Sequence, residues 1–145
     1  MKVVVQRVIN SQVEVDDKIV GKIDKGLMLL VGFTENDNQE TVKYMANKVL
    51  NLRIFDDENG VMNLSVTDIK GEILSISQFT LYGDARKGNR PSYVNALKGE
   101  EATKLYDLFN ENLKDSNLKV ETGIFGADMK VSLINDGPVT IIIEK

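Results

Sequence analysis

Gly26-Leu27-Met28-Leu29-Leu30-Val31-Gly32-Phe33 is apolar throughout and bounded by turn residues. A strand with one face in water alternates polar and apolar side chains. A run without alternation is covered on both faces, so this segment reads as a buried central strand. Before it, Lys2–Ile9 is Val-rich, and Val13, Val15, Ile19 and Ile23 continue in short alternating pieces around a turn at Asp16-Asp17-Lys18, the pattern of a hairpin. After it, Val42, Met45, Ala46, Val49 and Leu50 recur at helical spacing, with Asp37 and Glu40 placed as a capping box. Leu52–Phe55 reads as a strand that enters a hairpin turn at Asp57-Glu58-Asn59-Gly60, where Asn-Gly tolerates positive φ. Glu72–Phe79 is a further strand and Gly83–Asn95 a polar loop. A second helix covers about Glu100–Leu113, with Ala102, Leu105, Tyr106, Phe109 and Leu113 on one face. Strands at about Leu118–Phe125, Met129–Asn135 and Val139–Glu144 complete the chain. This order predicts one mixed α/β domain over residues 1–145, a sheet covered by two helices.

Composition narrows the chemistry. The 145 residues include no histidine and no cysteine, which removes thiolate nucleophiles, imidazole bases, disulfides and the usual zinc, copper and iron ligands. No spaced Asp/Glu cluster resembles a calcium loop, and neither metal nor cofactor is expected. The opening Met1–Arg7 reads as a strand rather than a secretory signal, and no apolar run approaches the roughly 20 residues of a membrane span. A cytoplasmic protein is expected, without membrane contact. A net charge of −4 argues against broad nucleic-acid binding and against DNA as a partner, while leaving room for a short contact with a nucleic-acid end. The stretch holding Arg86, Lys87, Arg90 and Lys98 is either a solvated loop or such a contact.

Two segments fit poorly as scaffold alone. In Ser75-Ile76-Ser77-Gln78-Phe79-Thr80-Leu81-Tyr82-Gly83-Asp84 a strand rich in small polar residues opens into the basic loop. Such a strand end is either a half-exposed surface or a binding site. In Asn135-Asp136-Gly137-Pro138-Val139-Thr140 proline removes a ladder donor, so the segment marks a turn, a bulge or an edge. A simple turn into the last strand and a cis peptide aiming two carbonyls at a ligand both remain open.

These two segments together resemble the paired signature motifs of the D-aminoacyl-tRNA deacylases. The similarity runs nearly end to end, through the opening Val-Val-Gln-Arg-Val around Arg7, the Gly26–Val31 strand and Lys87-Gly88-Asn89-Arg90-Pro91-Ser92. Gly83 and Tyr93 stand where the family more often has Ala and Phe. The resemblance implies a D-tyrosyl-tRNA deacylase-like fold of largely antiparallel, barrel-like β layers under two helices. It implies a homodimer with active sites at the subunit interface, acting on the acceptor end of aminoacyl-tRNA. Gly137-Pro138 would be cis and reach the partner's pocket, where its carbonyls exclude an L side chain and admit D-amino acids and glycine. Arg7 matches the position that braces this peptide, and Phe125 and Met129 match positions lining the terminal adenosine pocket; packing in the core is the other reading of that pair. Arg86, Lys87 and Arg90 would meet phosphates near the acceptor end.

The ester bond of aminoacyl-tRNA is already activated. Thr80 is the obvious hydroxyl nucleophile, yet the chain has no histidine to deprotonate it, and neither motif's core carries a lysine or carboxylate base. Oxyanion stabilisation requires only placed N–H groups, and those near Gln78, Phe79 and Thr80, just after Ser77, are the candidates, with the substrate's 2′-hydroxyl helping to activate water. A non-catalytic dimeric ligand-binding module and a Ser/Thr hydrolase of small esters using Ser77 or Thr80 are the rival readings.

Overall fold

The computed structural model describes residues 1–145. Strand β1 (Lys2–Val15) turns at Asp16-Asp17, both with positive φ, into β2 (Lys18–Ile23), and β3 (Gly26–Gly32) follows. Helix α1 spans Gln39–Leu50, a short β4–β5 ribbon pairs Phe55–Asp56 with Met62–Leu64, and β6 runs Glu72–Ser77. Then come helix α2 (Gly99–Lys114), β7 (Val120–Thr122) and the long β8 (Lys130–Glu144).

β1 organises the sheet. One of its edges pairs antiparallel with β8 over almost its whole length, while the other edge serves β3 along Lys2–Val8 and β2 along Ser11–Val15. β3–β6 and β6–β7 are parallel pairs, as helical crossovers require. The sheet curls until β2 meets β6 and β7. A Cβ on Gly21 would stand 3.0 Å from the Thr122 carbonyl oxygen and 3.2 Å from Leu74 Cδ1, so a bare backbone is what permits that approach. The result is a mixed α/β fold with a nearly closed, barrel-like sheet under two helices.

The curl explains why Gly26–Gly32 lacks alternation. Leu27, Leu29 and Val31 pack outward against Val42, Met45 and Val49 of α1 and Tyr106, Phe109 and Leu113 of α2. Met28 points the other way, into a second cluster with Val8, Val13, Ile23, Leu74 and Ile76. Each large apolar side chain so buried contributes roughly 1.5–3 kcal/mol. No helix is long and apolar enough to cross a membrane.

Several local expectations change. The cap of α1 is Asn38, whose Oδ1 accepts from the Glu40 and Thr41 N–H groups at 3.0 Å each. Asp37 instead receives the Thr34 N–H and the terminal ammonium of Met1. The expected Leu52–Phe55 strand shrinks to Phe55–Asp56, because the Ile54 carbonyl, free for a ladder in that reading, accepts from Arg7 Nη1 at 2.8 Å. β6 ends at Ser77, and Phe79–Tyr82 coils into a 3₁₀ turn. The expected strand from Leu118 to Phe125 narrows to Val120–Thr122. The two closing strands are one: Asn135 pairs with Val8 and Thr140 with Gln6, so Asp136–Val139 bulges opposite Arg7 without breaking β8.

Candidate active site

The end of β6 shapes one wall of a cleft. Its last residues keep the register of the sheet, with Ser77 opposite Val31 and the Gln78 N–H donating to the Val31 carbonyl at 2.7 Å. The chain then enters the 3₁₀ turn with Gln78 as its cap and no side chain capping it. The first N–H groups of any helix lack an intrahelical acceptor. Here those are Phe79 and Thr80, since the Leu81 N–H already reaches the Gln78 carbonyl. Of the amides expected to serve a developing oxyanion, Gln78's is engaged in the sheet, and Phe79's and Thr80's remain.

The opposite wall is the segment after β7. Phe125, Gly126, Ala127, Asp128, Met129 and Val131 enclose with Ser77, Gln78 and Phe79 a cavity of about 270 Å³. Met129 lies directly on Gly123, where a Cβ would meet its sulfur, so the glycine leaves room for Met129 in its present place at the cleft. The floor comes from Val31, Phe33 and Ile76, and the helical side from Leu97 and Ala102. A mostly apolar cleft with few polar groups suits a flat ring held by its faces.

Five sequence-derived residues thus meet here: Ser77, Gln78, Phe79, Phe125 and Met129. Thr80 is adjacent but exposed, and its hydroxyl accepts a hydrogen bond from Gln78 Nε2. Phe79 is half-exposed on the rim, edge-on to Tyr93 with ring centres 5.3 Å apart, and Lys98 Nζ stands 5.4 Å from its ring centre. Lys87 and Arg90 lie exposed on the loop beyond, outside any ion pair. Arg86 differs: its guanidinium clasps Asp84 at 2.9 and 2.7 Å, and this hydrogen bonding holds the Asp84 carboxyl down at about 2. Its charge is therefore already matched within the loop.

Gly137, Pro138 and Arg7 belong to a different place. The Gly137-Pro138 peptide is cis, and both residues are exposed on the β8 bulge. Arg7 is buried beneath it. Nη1 donates to the Ile54 carbonyl at 2.8 Å, Nε donates to the Asp136 carbonyl at 3.2 Å, and the Asp136 and Asp56 carboxylates lie at 3.3 and 3.7 Å. Val139 N–H closes the bulge by donating to Asn135 Oδ1 at 3.1 Å. Asp136 is the carboxylate beside Gly137-Pro138, and its charge is turned onto Arg7.

Two lining features escaped the sequence reading. Asp128 is an exposed carboxylate on the cleft wall, and Ala102 opens the helical side. A small residue on the apolar face of the second helix was the available signal for the latter. Tyr106, below the cleft, donates to the Ser75 carbonyl at 2.7 Å, and burial raises its phenol above the ordinary value against the opposing pull of Ser75 and Asn110.

A family model described as D-Tyr-tRNA(Tyr) deacylase matches residues 4–144. The chain belongs to that deacylase family. Among its relatives, a protein of Clostridium botulinum (strain Alaska E43 / Type E3) named D-aminoacyl-tRNA deacylase is 62% identical over 144 residues, covering 99% of this chain and 97% of its own. A Thermosipho africanus protein of the same name is 59% identical over the same shares. Within solved structures, one named c-Myc DNA Unwinding Element Binding Protein superposes with a TM-score of 0.94 at 42% identity, covering 100% of this chain and 99% of that one. A probable eukaryotic D-amino acid tRNA deacylase shares the fold with a TM-score of 0.84 at 18% identity, over 98% and 97% of the two chains. The deacylase family therefore accounts for the whole length over which the two motifs are distributed.

Proposed function

We propose that this protein is a hydrolase that cleaves the ester bond of D-aminoacyl-tRNA. One water is consumed and the carbonyl carbon–ribose oxygen bond breaks. The amino acid leaves as its carboxylate, the tRNA regains its ribose hydroxyl and one proton is released to solvent. The observation that carries the reading is the full-length family match together with the meeting of Ser77, Gln78, Phe79, Phe125 and Met129 around one cleft. The terminal adenosine lies between Phe125 and Met129, which brings the ester to the Phe79 and Thr80 amides. These N–H groups hold the oxyanion, and the vicinal 2′-hydroxyl of the ribose helps to activate the attacking water. The reaction needs no co-reactant besides water. Lys87 and Arg90 meet acceptor-end phosphates.

The chirality filter is main-chain as well. The exposed Gly137-Pro138 bulge stands outside the cleft of its own chain, and β8 offers an unpaired edge with Ile134 and Ile142 more than half exposed. An uncovered apolar edge strand favours association. A second copy set against this strand forms a homodimer in which each bulge screens the partner's cleft, rejecting L side chains while glycine passes. Glycine mischarged on tRNA-Ala is accordingly a second substrate. Purified protein incubated with D-tyrosyl-tRNA is expected to release D-tyrosine while sparing L-tyrosyl-tRNA under identical conditions. Persistence of both esters would overturn the enzymatic reading and favour a binding module.

A further inference from the structure

We infer that Tyr106 is a positioning residue for the cleaving edge: its hydroxyl, through the Ser75 carbonyl, sets the end of β6 against the Phe125–Met129 wall. The inference rests on the deacylation reading and concerns how the two walls of that site are kept in register.

The Ser75 carbonyl is a junction. It accepts the Tyr106 O–H at 2.7 Å and the Gly123 N–H at 3.1 Å, which engages both of its lone pairs. Two residues beyond Ser75 lies Ser77, where the cleft begins, and Gly123 is the residue on which Met129 rests. A single oxygen therefore joins the strand that presents the amides to the segment that lines the adenosine pocket. The ring of Tyr106 adds a second contact, 5.8 Å from that of Phe125 at a 49° tilt. Its helix brings the third wall, because Ala102 lies one turn earlier on the same face. Ser75 Oγ and Asn110 Oδ1, buried nearby, make no hydrogen bond. Packing alone would be served equally by phenylalanine, since Tyr106 is 3% exposed amid Leu105, Phe109 and Leu113. What the hydroxyl adds is direction.

Displacing a reacting geometry by a fraction of an ångström costs rate more than binding when the binding face is left in place. Tyr106→Phe removes the hydroxyl and keeps the ring on Phe125. In the full-length protein, kcat for D-tyrosyl-tRNA is expected to fall about tenfold with KM changed by less than about twofold. Tyr106→Leu, which also loses the ring contact, is expected to raise KM in addition. Both variants are assayed well below their thermal midpoints, with the folded fraction measured by circular dichroism. A folded Tyr106→Phe protein with kcat within about twofold of the parent would make the role structural only and overturn the inference. An inactive parent protein would overturn the deacylation reading itself, and is thereby told apart.

Discussion

D-tyrosyl-tRNA ending in 2′-deoxyadenosine is expected to be hydrolysed about 10²-fold more slowly than the ribose substrate, the lower end of what a placed general base contributes. Elimination among the groups that reach the cleft leads to this expectation. The lining offers Ser77, Gln78 and Asp128 as polar side chains. The first two do not act as bases at neutral pH. Asp128 is a carboxylate, but it stands exposed on the outer part of the cleft wall. Asp136, the carboxylate beside Gly137-Pro138, faces Arg7. The hydroxyl vicinal to the ester is then the group best placed to steer water, and deleting it removes that help while leaving the adenine face intact. Single-turnover rates at saturating enzyme separate the two contributions. Equal rates for ribose and deoxyribose substrates, combined with loss of activity in Asp128→Asn, would assign the base to Asp128 instead.

The second large effect concerns discrimination. Arg7→Ala is expected to reduce the preference for D- over L-tyrosyl-tRNA by at least about tenfold, each factor of ten being about 1.4 kcal/mol of differential binding. Arg7 holds the bulge at its base through the Ile54 and Asp136 carbonyls, and a Cβ on Gly137 would stand 3.1 Å from Nη2, so the guanidinium lies directly under the peptide. Removing it leaves two carbonyls short of a donor, at a stability cost of about 1–3 kcal/mol for each that is buried. The filter works by excluding, and an excluding wall that can move excludes less. Arg7→Lys keeps the charge but not the fork of donors, and is expected to relax discrimination while folding normally. Rates for both hands of substrate check this; an unchanged ratio in a folded Arg7 variant would place the filter elsewhere.

How far these features were legible in the sequence depends on what kind of partner each residue has. Gly26–Phe33 read correctly because its covering on both sides leaves a pattern in its own side chains. Ser77, Gln78 and Phe79 were found with Phe125 and Met129 through the resemblance; no local periodicity joins residues so distant in the chain. The cap of α1 was misplaced by one residue because Asp37 and Asn38 are both good caps, and the Thr34 N–H together with the ammonium of Met1, beside the Lys2–Gly32 pair, draws Asp37 away. Gly137-Pro138 reads as a turn, a bulge or an edge, with separate strands on either side; the bulge holds and the separation does not. The structure carries the strand past it, since a bulge opposite a single residue absorbs the missing donor. Tyr106 reads only as a core aromatic of the second helix, because its hydroxyl meets a backbone carbonyl, which has no sequence signature. The same applies to the Gln78 amide: whether an N–H is free or paired is a matter of strand register.

The absence of histidine and cysteine directs attention to the main chain, and Thr80 is where main-chain catalysis is most open to refutation. The Thr80 hydroxyl accepts from Gln78 Nε2, beside the cleft rather than lining it, while its backbone N–H stands among the unpaired amides. The decisive measurement is the single-turnover rate of Thr80→Ala on D-tyrosyl-tRNA, with tRNA binding and thermal midpoint recorded alongside. Main-chain catalysis predicts a rate within about tenfold of the parent, because the amide survives the substitution. A loss of about 10³-fold or more with binding and fold intact would contradict it and make the hydroxyl the nucleophile.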